Sequence, residues 1–132
     1  MIRAHGGGNV QILGFVESVS DFYDECSVYV QPSVSEGFGI EILEAMAHGR
    51  PVIASVGAGG ADAIDDGVDG FKVPIRSPQA ISEKIEWFRK NPDALRAMGE
   101  SARRKAQGYS WDRIKPSYMA AWNSVLAVKA AV

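Results

Sequence analysis

Two glutamates eight residues apart, Glu36 and Glu44, bracket the stretch of this chain best suited to chemistry, Glu36-Gly37-Phe38-Gly39-Ile40-Glu41-Ile42-Leu43-Glu44. Glycines at 37 and 39 let a ligand come close to the backbone. A helix opening at Ile40 would aim its first amides, and the positive end of its dipole, at that ligand. Phosphate and sugar oxygens suit such a place. At roughly 100° per residue, Glu44 falls close to the face made by Ile40, Leu43 and Ala47. Ile42, Ala45 and Met46 fill the other sides, so the helix is apolar nearly all round and is expected to be buried. A buried carboxylate is costly unless hydrogen-bonded. The two hydroxyls of a ribose would satisfy Glu44, and Glu36 is placed to accept from the hydroxyls of a sugar. Taken singly these residues have plainer explanations: ordinary turn glycines, and a Glu44 salt-bridged to Arg50 or another base.

Other chemistries find less support. His5 and His48 have no second ligand at a metal-binding spacing, so no metal site is expected. The single cysteine, Cys26, excludes an internal disulfide and reads as a small apolar side chain. A net charge of −2, with Lys and Arg scattered, is no footprint for nucleic acid. Arg103-Arg104-Lys105 reads as a wet helix surface, with phosphate or acidic-lipid contact the lesser alternative, and Glu17, Asp21, Asp24 and Glu25 as a solvated face. No apolar run approaches the ~18 residues of a membrane helix. The expectation is a soluble, cytoplasmic protein, with attachment to the inner face of a membrane left open.

The elements that must hold the glutamates alternate along the chain. Residues 1–9, with Gly6-Gly7-Gly8, read as a flexible lead-in or the broken end of something longer. Val10–Gly14 has strand character, and Val19–Cys26 that of a short helix. Val28-Tyr29-Val30 is a strand that stops at Pro32. The glutamate loop then enters a helix over Ile40–His48, ended by Gly49-Arg50-Pro51. Pro51–Ser55 is a strand, Gly57–Gly60 a turn, Ala61–Asp65 a short helical segment, and Phe71–Pro74 a last strand. Ser77-Pro78 opens a helix to about Lys90. Asn91 caps the next, about Asp93–Gln107, and Ser110 caps a terminal helix from Trp111. Strands separated by helices predict an α/β fold with a mainly parallel sheet. Residues 10–108 form its domain and 109–132 a C-terminal helix. Four strands with no helix before the first predict a chain truncated on its N-terminal side.

On these residues the chain resembles the C-terminal domain of family-4 retaining glycosyltransferases, the glycosyl transferases group 1, built on the two-lobed GT-B fold. The resemblance runs from about Asn9 to Trp122. Besides the two glutamates and Gly37-Phe38-Gly39, it includes Leu13-Gly14-Phe15, Pro32-Ser33, Ala45-Met46-Ala47 and Gly49-Arg50-Pro51-Val52-Ile53-Ala54. Gly59-Gly60, Asp69-Gly70-Phe71 and Tyr109-Ser110-Trp111 match as well. It implies a Rossmann-like sheet with flanking helices that binds a nucleoside-diphosphate sugar and no cofactor. Glu36, the catalytic candidate, would contact the donor hexose. Glu44 would hold the ribose, and the backbone of Phe38, Gly39 and Ile40 would follow the sugar and diphosphate. Transfer would retain anomeric configuration without a protein-bound metal. There are two departures. Asp62 stands where the family usually has Glu, and the family's earlier Arg and Lys, which grip the diphosphate, lie outside the sequence.

The chain is therefore expected to bind nucleotide weakly and to transfer no sugar by itself. An epimerase or phosphorylase on the same fold, a non-catalytic nucleotide-binding module, and one half of a split enzyme are the alternatives. Trp111, Ile114, Tyr118, Trp122, Val125 and Leu126 form an apolar stripe at helical spacing. Core packing is the ordinary explanation. The family's terminal helix crosses to the other lobe, so in this chain the stripe is expected to be partly exposed and to drive self-association.

Overall fold

The computed structural model describes residues 10–130, so the lead-in assigned to 1–9 lies outside the described residues. Three strands, β1 (Tyr29–Gln31), β2 (Val52–Ser55) and β3 (Gly70–Val73), form a parallel sheet in the order β1-β2-β3. Tyr29 pairs with Val52, and Val52 in turn with Gly70. The central strand β2 is buried along its whole length, as a parallel strand covered on both faces must be. Its alternation assigns the two cores. Val52 and Ala54 pack with Tyr23, Ile42, Ala45, Met46 and Ala102 on one face. Ile53 packs with Phe71, Val73, Phe88 and Met98 on the other.

The helices that cover the sheet are α1 (Val19–Glu25), α2 (Ile40–Ala47), α3 (Pro78–Lys90) and α4 (Pro92–Ala106), followed by α5 (Trp111–Ala130). Short 3₁₀ turns occupy Gly59–Ala63 and Gln107–Tyr109. Helix α3 opens as expected: Pro78 follows Ser77, whose hydroxyl accepts from the Ala80 amide at 3.4 Å. Asn91 behaves differently. Its side chain donates to the Trp87 carbonyl at 2.7 Å and so closes α3, while only its backbone carbonyl, accepting from Leu95, begins α4.

The first expected strand is a correction. Val10–Gly14 is not a strand, and the sheet of the described residues has three strands rather than four. Strand character is realised only when a neighbour supplies ladder bonds. The segment pairs with none among the described residues, leaving Val10, Ile12, Leu13 and Phe15 exposed. The last helix, α5, packs chiefly against the Gln107–Tyr109 turn at its own start. Its Trp111, Tyr118, Trp122 and Val125 are each more than 60% exposed, so the stripe does not build the core of this chain.

Candidate functional site

Both loops that leave the carboxyl ends of β1 and β2 come together, which is where open α/β sheets carry ligands. The first runs from Pro32 to Gly39 and the second from Val56 into the Gly59–Ala63 turn. They touch backbone to backbone: the Glu36 amide donates to the Gly57 carbonyl at 3.0 Å, and the Gly60 amide donates to Phe38. A β-carbon on Gly59 would fall well inside 3.0 Å of the Gly37 oxygen, and one on Gly60 also inside 3.0 Å of the Phe38 oxygen. Glycine at 59 and 60 is thus demanded by loop packing. Gly37 is the opposite case, because a β-carbon there would meet nothing within 4 Å. Gly39 takes φ 73° and caps α2 without a side-chain bond, so no capping side chain claims the first-turn amides. Phe38 and Ile40 flank it, both exposed.

Glu36 lies on this surface, exposed. Its Oε2 accepts from the Ser33 hydroxyl at 2.7 Å and from the Gln31 amide at 2.5 Å. These two bonds, Ser33 first, hold its carboxyl below the ordinary range, so Glu36 is ionised at neutral pH. An ionised carboxylate is an acceptor only. No bond within the protein reaches its Oε1 among the described residues. Ser55, buried at the end of β2, donates to the Ser33 carbonyl and ties the loop down.

Glu44 is a correction. Helical spacing grouped it correctly with Ile40, Leu43 and Ala47, yet that face is not buried. Ile42, Ala45 and Met46 take the core side of α2, while Glu44 is exposed and lines an open groove of about 560 Å³. Opposite it stand Arg103, Gln107, Tyr109 and Ser110. One Glu44 oxygen accepts from Tyr23 at 3.2 Å. Burial, and next the Glu44 charge, push the Tyr23 phenol far up, so it remains a donor. The pairing of Glu44 with Arg50 does not form; Arg50 donates to the Asp24 carbonyl instead.

The neighbouring polar residues are structural. His48 closes α2 and meets Asp24 of α1 at 2.8 Å, and this bond above all lowers the Asp24 carboxyl. Asp24 thus links α1 to α2 while staying, with Glu17, Asp21 and Glu25, on the solvated face expected of them. Lys105 leaves the expected wet surface to reach Asp65 at 2.7 Å and the buried Asp69 at 3.2 Å. Asp62 is exposed. Sequence reasoning missed Tyr23, Gln31 and Arg103. Gln31 left a trace as a polar residue closing an apolar strand, and Arg103 as part of a short basic run; Tyr23 and Arg103 meet the site across the fold.

Comparisons with known proteins bear on the family and the fold. A model of the family described as glycosyl transferases group 1 matches residues 1–105. The D-inositol 3-phosphate glycosyltransferase of Streptomyces griseus is 38% identical over 96 residues, covering 73% of this chain but 20% of that protein. The Anabaena protein HepE in complex with UDP-glucose superposes with TM-score 0.83 at 23% identity, over 89% of this chain and 33% of that one, a likeness of fold. The pneumococcal O-GlcNAc transferase GtfA, in complex with UDP and GlcNAc, gives 0.70 at 29% identity over 83% and 23%. The chain therefore spans about a fifth to a third of the proteins it matches. With four-fifths of its length matched by the family model, it belongs to the glycosyl transferases group 1.

Proposed function

We propose that this chain is the donor side of a retaining glycosyltransferase and binds a nucleoside-diphosphate sugar across the loop that enters α2. The observation that carries the reading is Glu36: an ionised carboxylate with one oxygen spoken for and the other open, next to a glycine whose missing side chain nothing in the fold requires. Such a group accepts from sugar hydroxyls and would repel a phosphate. In this reading the diphosphate follows the amides of Phe38, Gly39 and Ile40 at the positive end of α2. The ribose lies on Glu44 in the groove bounded by Ile40 and Leu43. The nucleotide ligands named for HepE and GtfA make UDP-sugars the first donors to try.

In the reaction an acceptor hydroxyl attacks the anomeric carbon as the bond from that carbon to the diphosphate oxygen breaks. Negative charge grows on the diphosphate, where fixed amides lower the barrier. Glu36 orients the sugar and is neither general acid nor nucleophile. No protein-bound metal takes part, so EDTA leaves the rate of a competent enzyme unchanged. The isolated chain binds nucleotide weakly and transfers no sugar. The exposed stripe of α5 favours a partner surface for that helix, supplied by another lobe or another chain.

Calorimetric titration with UDP, GDP, ADP and their sugar conjugates tests the reading. One nucleotide should bind wild type and be lost in Glu44→Ala. Binding that survives Glu44→Ala unchanged would remove the ribose role. Turnover by the purified 132-residue chain would refute its dependence on a partner.

A further inference from the structure

Glu36 stands at the end of a line of hydrogen bonds that starts in the sheet. The Tyr29 hydroxyl donates to Gln31 Oε1 at 2.6 Å. Gln31 Nε2 donates to Ser33 Oγ at 3.0 Å and to Glu36 Oε2 at 2.5 Å. Ser33 Oγ then donates to the same Glu36 oxygen at 2.7 Å. Each proton has one direction available. The carboxylate has none to give, so the amide must present its NH₂ group to Glu36 and its carbonyl to Tyr29. The phenol holds its proton, pushed up to about 12 by burial and by Glu41, Glu36 and Glu44. Ser33 has a single proton, and it goes to Glu36. Every donor in the line therefore points toward Oε2.

This arrangement does more than satisfy polar groups. Tyr29 and Gln31 belong to β1, whose register is fixed by β2, so the line transmits the position of the sheet to a carboxylate on an exposed loop. A lone exposed Glu would sample several rotamers and lose that freedom when it bound a ligand. Here that ordering precedes binding, and it engages Oε2 while no bond within the described residues engages Oε1.

We propose that Tyr29 and Gln31 are positioning residues which, through the Gln31 amide, fix Glu36 so that Oε1 alone meets the sugar of the donor. The use made of Glu36 rests on the donor-side reading above; the existence of the line does not. Gln31 sets affinity for the sugar half of the ligand and leaves the nucleotide half untouched. Tyr29 acts only by holding the Gln31 amide in one orientation.

The test needs Gln31→Met, Tyr29→Phe and the double variant, each shown folded by its amide NMR spectrum. Tyr29→Phe keeps the ring that packs edge-on against Tyr23, so it guards against a Gln31→Met that fails to fold. The Glu36 carboxyl is titrated by carbon-detected NMR, its signal identified from Glu36→Gln. Its midpoint should rise toward the ordinary glutamate range in Gln31→Met and rise less in Tyr29→Phe. The double variant should match Gln31→Met alone. A midpoint unmoved by Gln31→Met, or a Tyr29→Phe effect that adds in full to it, overturns the line.

Titration with UDP-glucose and UDP then reads its use. Gln31→Met should weaken UDP-glucose by about tenfold, as loss of a charge-assisted bond does, and leave UDP unchanged. Equal weakening of both, or of neither, overturns the positioning role. Wild type that binds neither nucleotide, with the midpoints moving as stated, would instead count against the donor-side reading.

Discussion

Replacing Gly59 by alanine should unfold the site's architecture from its least conspicuous atom. The added methyl would overlap the Gly37 carbonyl oxygen, with the Gly37 carbon only 3.1 Å away and Phe38 Cα at 3.5 Å. All three neighbours are backbone, so no flexible side chain can swing aside. The two loops must part by about an ångström, breaking the approach of the Glu36 and Gly60 amides to the opposite strand of the pair. Overpacking alone costs about 1–3 kcal/mol, and each lost backbone bond about 1 kcal/mol more. A total of about 3–5 kcal/mol lowers the melting temperature of a domain this size by roughly 10–20 °C. Thermal unfolding followed by circular dichroism measures it. The control is Gly37→Ala, where a methyl would meet nothing, so the melting temperature should stay within about 2 °C or rise slightly. That same methyl should nevertheless weaken UDP-glucose binding. A Gly59→Ala protein that melts with wild type would refute the close packing of the loops. A Gly37→Ala protein that falls as far would refute the claim that position 37 is open.

Three further outcomes follow from the ion pairs and the last helix. Lys105→Met strands the buried Asp69 carboxylate and should cost about 2 kcal/mol, less than a fully buried pair because Lys105 is partly exposed; urea unfolding of Lys105→Met, with Asp69→Leu as the compensating change, checks it. Asp24 has its carboxyl held below the usual 3.8, chiefly by His48. A depressed folded value gives stability that is present above pH ~4 and lost as the pH falls through it. Asp24→Asn should therefore be less stable than wild type at neutral pH and show a flatter decline on acidification in melts across that range. Exposed Trp111, Tyr118 and Trp122 on α5 should drive self-association at high concentration in sedimentation runs, and Trp122→Asp should abolish it.

Element boundaries were legible where the chain punctuates itself. Pro32, the Gly39 entry and Gly49-Arg50-Pro51 set the ends of β1 and α2 to within a residue or so, and Ser77-Pro78 did the same for α3. Val10–Gly14 misled for a physical reason: its residues favour a strand, but only a neighbour makes one. Glu44 misled for another. A helical wheel reports which side chains share a face, and nothing about what covers it. Ile40, Leu43, Glu44 and Ala47 do share one, but open groove rather than core lies beyond it. Tyr23 meets Glu44 across 21 residues and Arg103 meets His48 across 55, so no local pattern encodes either partner.

The glycines carry the sharpest distinction between what holds the fold and what serves a ligand. In the sequence, Gly37, Gly39, Gly59 and Gly60 look alike, as small residues in two loops of one kind. The structure separates them by cause. Gly59 and Gly60 are small because another backbone lies where their side chains would be. Gly39 is glycine because its φ of 73° strains any side chain. Gly37 has neither reason: its backbone is ordinary and the space beside it is empty. On the donor-side proposal, a residue that the fold leaves free to be larger, next to a carboxylate whose second oxygen has no partner in the protein, is small to admit the ligand. The first pair of glycines should thus be read out by melting experiments and Gly37 by binding, and a glycine that moves the wrong observable would break the division.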